Sequence, residues 1–344
     1  MQERTRPTIF DVAKRAGVSP ATVSRVLSQP EIVRSEKQKR VNDAILALGY
    51  VRDGTARALV SGSTGAVGVV VPTIDNAIFS RAVQTLQWHL AEAGYRLLVA
   101  SHEYSPSTEA AAARALIEHG IDAMVLVGVD HAPELWALVE SSPLPLVLTW
   151  SIAENRDCVG FDNRRAGRIA AEHLLSLGHR AFGIISGILQ HNDRATARIA
   201  GVRDALADVG LGIPDWRICQ EPFTLAGGRA GLAALLSLEQ PPTAVIGGND
   251  LLAAGALFEA QSRSIRVPEQ LSIMGMDNLE LSEHVTPALS TVNLPTAELG
   301  RRAAELVLAR LQRAGKPKAI ELPVDLVIRM STSRPPKRGD GIRR

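Results

Sequence analysis

Only two cysteines, Cys158 and Cys219, occur in 344 residues, far apart and without CxxC spacing. That leaves no disulfide framework and no thiol-based metal or redox motif; two buried thiols in a reducing cytosol are expected. Aromatic residues are scarce, at 4%. No run of about 18 apolar residues is present, and no N-terminal apolar segment precedes a cleavage site, so neither membrane insertion nor secretion is expected. Also missing are a GxGxxG loop after a strand, a P-loop, a GxSxG elbow and a metal-ligand cluster among the eight histidines. These absences argue against nucleotide, hydrolase and metal chemistry, so no catalytic residue, metal or cofactor is expected. No leucine heptads follow Arg329, and a C-terminal coiled coil is not read.

What is present is a chain long enough for two or three domains, with 46% hydrophobic and 22% charged residues, the balance of a globular protein. Its net charge of +2 hides an asymmetry. Residues 1–60 hold eleven Lys/Arg against six Asp/Glu, and the remainder holds 27 against 30. A basic head on a mildly acidic body points to a polyanion that meets the head alone, a solvated basic surface being the alternative.

Residues 8–28 read as two short helices joined by a tight turn. Thr8 with Asp11 three places on is a capping pattern, and Ile9, Val12, Ala13 and Ala16 form an apolar stripe. Gly17 supplies the turn. Ser19 caps the second helix and Pro20 opens it, where a missing N–H costs nothing. That helix buries Val23, Val26 and Leu27 and turns Pro20, Ala21, Thr22, Ser24 and Arg25 outward. Small residues and one arginine on an open face suit a DNA major groove, which predicts a helix-turn-helix; an ordinary αα-hairpin is the alternative. The hydroxyls of Thr8, Ser19, Thr22 and Ser24 suit phosphate contacts that fix register without reading sequence. Capping accounts for Thr8 and Ser19 equally well.

Ser35 is expected to cap a third helix, with Gln38 completing the capping box and Gly49 ending it. The N-terminal domain is placed at 1–52. Residues 53–60 read as a marginal helix followed by a flexible linker, giving a hinge segment at 53–63. From Ala66, β-rich runs at Ala66–Val71, Arg96–Ala100, Ala123–Val127, Leu144–Thr149, Ala181–Ser186, Ala244–Gly247 and Leu271–Met276 alternate with amphipathic helices. Such alternation predicts an α/β body of doubly wound parallel sheets in two lobes, changing lobe near residue 161. The expected division is 64–161 with 294–316, and 162–293 with 317–333. Residues 334–344, rich in Pro, Gly and Arg, read as a disordered tail. A ligand cleft belongs between the lobes, at the carboxyl ends of the strands.

Along the chain stand Asp11-Val-Ala-Lys-Arg-Ala-Gly-Val-Ser, Thr22-Val-Ser-Arg-Val-Leu, Leu48-Gly-Tyr50, Ala56-Arg-Ala-Leu59, Gly68-Val-Val-Val-Pro72, Val159-Gly-Phe-Asp-Asn163, Leu177-Gly-His179, Gly248-Asn-Asp250, Gly275-Met-Asp277 and Arg329-Met-Ser-Thr332. In the order and spacing of these motifs, over nearly its whole length, the chain resembles the lactose-repressor (LacI) family of bacterial transcription regulators. Pro30-Glu31, Pro72–Phe79 and Val159–Asn163 look most similar to the gluconate-repressor branch. The resemblance implies a periplasmic-binding-protein-like body, a homodimer on double-stranded operator DNA with a pseudo-palindromic sequence, no membrane partner, and a cytoplasmic, nucleoid-associated location. It places Pro20, Ala21 and Arg25 against base edges. Arg25 suits a bidentate pair of hydrogen bonds to guanine, worth about 1–3 kcal/mol of discrimination. It makes Leu59 the minor-groove wedge of a hinge helix and sets Arg57 against the phosphate backbone.

For the body, the resemblance makes Arg198 the ligand clamp, Asn249 and Asp277 polyol-binding groups, and Phe223 a stacking aromatic, with core packing as the rival for Phe223. Thr73, Phe79, Thr149 and Trp150 are further lining candidates. Arg194 lies four residues before Arg198 and shares its helix face, although two solvated arginines are the plain alternative. Asp162 and Asn163 suit capping of the following helix, the reading preferred for Asp162. Paired arginines with polyol-binding groups point to a sugar acid such as gluconate, with a neutral or phosphorylated sugar as alternative. A sugar-binding transport protein is the distant rival, disfavoured by residues 1–60.

Overall fold

The computed structural model describes residues 7–51, 63–312 and 315–337 and divides the chain into two units, Met1–Thr64 and Gly65–Arg344. In the first, α1 (Ile9–Ala16), α2 (Pro20–Ser28) and α3 (Ser35–Leu48) enclose a small core of Val12, Ala13, Ala16, Val23, Val26, Val41 and Ala44. Thr8 donates to Asp11 Oδ2 from its N–H at 2.8 Å and its hydroxyl at 2.7 Å, which starts α1 and holds the carboxyl below its usual range. Gly17 ends α1 at a φ of +61°, where a side chain is disfavoured. From α3, Arg40 Nη2 donates to Ala16 O at 2.5 Å and Gly17 O at 3.0 Å, so the turn is braced from outside it. Ser19 Oγ accepts from Thr22 N at 3.2 Å, with Pro20 in the first turn of α2.

The start of α3 differs from the expected capping box. Ser35 is already helical, and Gln38 donates to Pro30 O at 2.6 Å and Val33 O at 2.7 Å. A 3-10 turn at Pro30–Ile32 presents those carbonyls to α3, and they take the amide that a cap would have used. Residues 52–62, which include the expected hinge positions Arg57 and Leu59, lie outside the described residues, as do 338–344 of the expected tail. Arg334–Lys337 are placed, with Pro335 against Gly178.

The strands of the second unit are β1 (Ala66–Val71), β2 (Arg96–Ser101), β3 (Ala123–Val127), β4 (Leu146–Trp150), β5 (Cys158–Phe161), β6 (Phe182–Ser186), β7 (Ile218–Gln220), β8 (Ala244–Gly247), β9 (Ser272–Asp277), β10 (Ser290–Asn293), β11 (Ala319–Leu322) and β12 (Asp325–Val327). They form two six-stranded sheets, ordered β11-β5-β4-β3-β1-β2 and β12-β10-β9-β8-β6-β7. Only the β10–β12 pair is antiparallel among the described strands. The central strands β1, β3, β6, β8 and β9 read as apolar runs, polar only at the strand ends Ser186, Ser272 and Asp277, because helices cover both faces, and every residue in them is buried. In each sheet the order reverses beside β1 or β6, which opens a crevice at the carboxyl ends.

The chain changes sheet after β5, after β10 and after β11. The first crossing falls at residue 162. The last one corrects the expected boundary at 316/317, because Ala319–Leu322 pairs in parallel with Cys158–Phe161 and so belongs to the first sheet. Pro323 has no N–H for the ladder and stops β11 there, after which β12 joins the other sheet.

Two helices, Asn163–Ser176 and Asp193–Ala207, cross at glycines: a Cβ on Gly201 would strike the Arg164 carbonyl and one on Gly167 the Arg198 carbonyl. Gly201→Val is therefore expected to destabilise the body by about 1–3 kcal/mol in urea denaturation. Gly212→Ala, with nothing within 4 Å of the added carbon, serves as the silent control. Equal midpoints for the two variants would refute the close crossing.

Candidate ligand cleft and DNA-binding face

Residues that follow the strands of both sheets converge on a cleft holding about 350 Å3 of empty space. At its centre Asp277 ends β9 with a φ of +116°, a strained value for a residue with a side chain, and is 3% exposed. Neither carboxylate oxygen has a hydrogen-bond partner. Arg198 Nη1 lies 3.6 Å from Oδ1, an ion pair without a hydrogen bond. Burial pushes the Asp277 carboxyl well above the usual range, and Arg198 opposes that shift. A buried acceptor left unmet costs about 1–3 kcal/mol, more when charged.

Arg198 is itself held from two sides. Its Nε donates to Asn163 Oδ1 at 3.0 Å and its Nη1 to Gly248 O at 2.7 Å. Asn163 in turn donates from Nδ2 to Trp150 O at 2.8 Å. Asn163 is thus a positioning residue, while Asp162 takes the capping role, accepting from Arg165 N at 2.8 Å. One turn earlier, Arg194 reaches across from the second lobe. Its Nη1 donates to Val127 O at 3.3 Å and Asp193 Oδ1 at 2.9 Å. Gly128, at a φ of +92°, leaves room for it; a Cβ there would collide with the guanidinium.

Aromatic rings form the walls. Trp150, at a φ of +66°, packs on Phe79 with centroids 5.1 Å apart, and its Nε1–H is buried without an acceptor. Tyr104 and Phe223 stack from opposite lobes at 5.6 Å, and a Cβ on Gly187 would fall inside the Phe223 ring. Asn249 caps its helix through Oδ1, 2.9 Å from Leu252 N, with the residue lining the cleft. Asn76 and Asn192 do the same, accepting from Ile78 N at 3.1 Å and Ala195 N at 3.3 Å.

The cleft therefore brings together Phe79, Trp150, Arg194, Arg198, Phe223, Asn249 and Asp277. It does not include the other two expected residues. Thr149 donates to Leu126 O at 2.6 Å and is 1% exposed, because successive strand residues point to opposite faces and Trp150 takes the cleft side. Thr73 Oγ1 is used locally, accepting from Asp75 N at 3.2 Å. Sequence reasoning missed Asn76, Asn192 and Tyr104. The two asparagines carry the same signal as Asn249, a cap just beyond a strand, and Tyr104 carries none.

On the head, Ala21 and Arg25 are exposed on α2, and Pro20, Thr22 and Ser24 are half-buried. Arg25 makes no ion pair among the described residues. Thr8 and Ser19 carry out the capping already described, and Thr22 Oγ1 lies 2.9 Å from Ser19 Oγ. The four hydroxyls and Arg25 belong to one short segment, as a phosphate-and-base contact surface requires.

A helix-turn-helix head and a two-sheet body with a polar cleft define a DNA-binding regulator with a ligand-binding body. Residues 8–53 match the lacI family of bacterial regulatory proteins, and 171–332 match the periplasmic binding protein-like domain. The transcriptional regulator GntR of Pseudomonas aeruginosa is 35% identical over 333 residues, 95% of this chain and 96% of that one. The transcriptional repressor PurR of Escherichia coli is 30% identical over 96% of this chain and 98% of its own. A LacI-family regulator structure from Silicibacter pomeroyi superposes with a TM-score of 0.86 at 27% identity, covering 95% and 100% of the two chains. The chain belongs to the LacI family: it is a DNA-binding transcriptional repressor, not an enzyme. Among the described residues no helix is long and apolar enough to cross a membrane.

Behind Asp277, the buried Asp250 accepts from Leu279 N at 2.7 Å and from the Ser282 and Thr291 hydroxyls, each at 2.6 Å, which fixes the turn after β9. Burial pushes its pKa from 3.8 up to about 6. The folded body thus keeps a proton that the unfolded chain has already released, and stability from this group falls as pH rises from about 4 through about 6. Asp250→Asn removes that slope. Urea titrations at about pH 4.5 and 6.5 are expected to show the wild-type advantage over the variant shrinking with pH, by at most about 3 kcal/mol. An advantage that stays constant rules out this assignment.

Proposed function

We propose that this repressor acts as a homodimer on a pseudo-palindromic operator and that a small sugar acid in the cleft controls its hold on DNA. Residues 1–52 are the reader, 53–63 the hinge, and the two lobes the sensor. The observation that carries the reading is the Asp277 carboxylate, buried with both oxygens unmet beside Arg198. A polyol supplies the missing donors. Arginine matches a planar carboxylate, and both Arg194 and Arg198 line the cleft. The resemblance of Pro30-Glu31, Pro72–Phe79 and Val159–Asn163 to the gluconate-repressor branch supports gluconate or a related aldonate.

Closure follows from linkage. A ligand bonded to Asp277 and Arg198 of one lobe and to Trp150 Nε1 of the other favours the closed lobes. It changes DNA affinity only by its differential affinity for the two states. The gluconate-like motifs favour induction, with ligand releasing the operator. In the head, Arg25 reads a base and the remaining face of α2 sets register. Leu59, as the hinge wedge, unstacks a central base step and Arg57 holds the backbone beside it. The site of action is the bacterial cytoplasm.

Footprinting on DNA flanking the protein's own gene tests the reading. A protected pseudo-palindrome that is lost on adding gluconate is the expected result; protection indifferent to millimolar aldonates sinks the effector proposal. Arg25→Ala should weaken the operator complex by about 1–3 kcal/mol and relax preference at one base position. Leu59→Ala should weaken operator binding while gluconate affinity, read by calorimetry, stays at the wild-type value. An unchanged operator affinity removes the wedge.

A further inference from the structure

Beside the cleft lies a smaller polar recess of about 290 Å3, and Tyr104 and Arg194 line both spaces as a common wall. His102, Glu109, Asp130 and His131 form much of its remaining lining. His131 Nε2 lies 3.2 Å from Gly128 O, an oxygen that only accepts, so this nitrogen carries a hydrogen. Its Nδ1 lies 3.0 Å from Glu109 Oε1, and one hydrogen serves that contact. Whichever atom holds it, the Glu109–His131 pair has no net charge.

His102 Nε2 lies 3.6 Å from the same Glu109 oxygen. Burial lowers the His102 pKa and favours the neutral ring, with Glu109 opposing. A neutral imidazole has one N–H and one lone pair. At 3.6 Å the Glu109 contact is too long for a hydrogen bond and does not fix the tautomer, so Nδ1 carries either the N–H or the lone pair. His102 is 7% exposed and its Nδ1 has no hydrogen-bond partner. Nothing in the fold uses this nitrogen, and a polar atom buried in this way calls for a partner whether it donates or accepts. Among the lining residues besides His102, each group able to carry positive charge already faces a carboxylate, His131 that of Glu109, His191 that of Asp130 at 3.7 Å and Arg194 that of Asp193, which makes the recess a poor host for an anion.

We propose that the recess is a second compartment of the effector site and takes an uncharged hydroxyl end of the effector, which hydrogen-bonds to His102 Nδ1 and, being both donor and acceptor, serves either tautomer. The proposal rests on the sugar-acid reading of the cleft and narrows it. The effector carries its acid at the end near Arg198 and a free hydroxymethyl group at the other. Acids charged at both ends are rejected, because their second anion meets no cation there that a carboxylate does not already face.

Calorimetry on the full-length protein decides this, with gluconate, glucarate and 6-phosphogluconate as probes and glycerate as a ligand too short to reach the recess. Wild type is expected to bind gluconate at least about tenfold more tightly than either doubly charged acid. His102→Leu should bind gluconate about tenfold more weakly and glycerate as wild type does, since only one hydrogen bond is removed. His102→Gln, whose amide offers both a donor and an acceptor, should recover most of the loss, and unchanged operator binding by both variants confirms that they fold. Equal affinity for gluconate and glucarate overturns the proposal, as does wild-type gluconate affinity in His102→Leu. Failure of wild type to bind all four acids overturns the sugar-acid reading itself and the recess with it.

Discussion

Asp277 and Arg198 face each other at 3.6 Å inside the body, and the arrangement around them is a set of constraints that keep this pair buried, close and incompletely bonded. Arg198 spends two donors on Asn163 and Gly248, which fixes its direction. The Asp250 network anchors the turn that follows Asp277. Gly167 lets the neighbouring helix approach the Arg198 backbone. Each of these contacts stabilises a geometry that, taken alone, is unfavourable, and a binding site is where such a cost is tolerated.

The same economy explains why the cleft is built from helix caps and strand ends. Asn76, Asn192 and Asn249 each commit one side-chain oxygen to a backbone N–H, so their position is set by the helix they start. Trp150 and Asp277 sit at the ends of β4 and β9 in left-handed backbone conformations. Polar groups on such rigid supports are oriented before a ligand arrives, which reduces the ordering cost of binding. The Tyr104–Phe223 stack and the Arg194–Val127 hydrogen bond join the lobes across the opening, so the enclosed form already has contacts of its own.

Much of this was legible in the sequence, for physical reasons that differ by region. The head follows local rules: Thr8 with Asp11 and Ser19 with Pro20 fix helix starts within a few residues, and the structure places both as expected. The central strands announce themselves as apolar runs. The short strands do not: β5, β7, β10, β11 and β12 hold three or four residues each, too few for a period to emerge. Hence the last crossing was expected several residues early, before Pro323 rather than at it. In the cleft, family likeness named Arg198 and Asp277, which line it, and Thr149, which strand alternation turns away from the side that Trp150 takes. His102 and Tyr104 gave no signal, since only the meeting of loops from different strands brings Tyr104 to the cleft and His102 to the recess beside it.

The measurement closest to the central claim is calorimetry of gluconate binding to Asp277→Asn beside wild type, with operator affinity recorded on the same preparations. If the buried, unmet carboxylate is what an effector completes, the variant binds gluconate at least about a hundredfold more weakly, because the amide turns one acceptor oxygen into a donor and strips the charge from the bond the other still accepts, and it still binds operator DNA. A variant that keeps wild-type gluconate affinity would contradict the account.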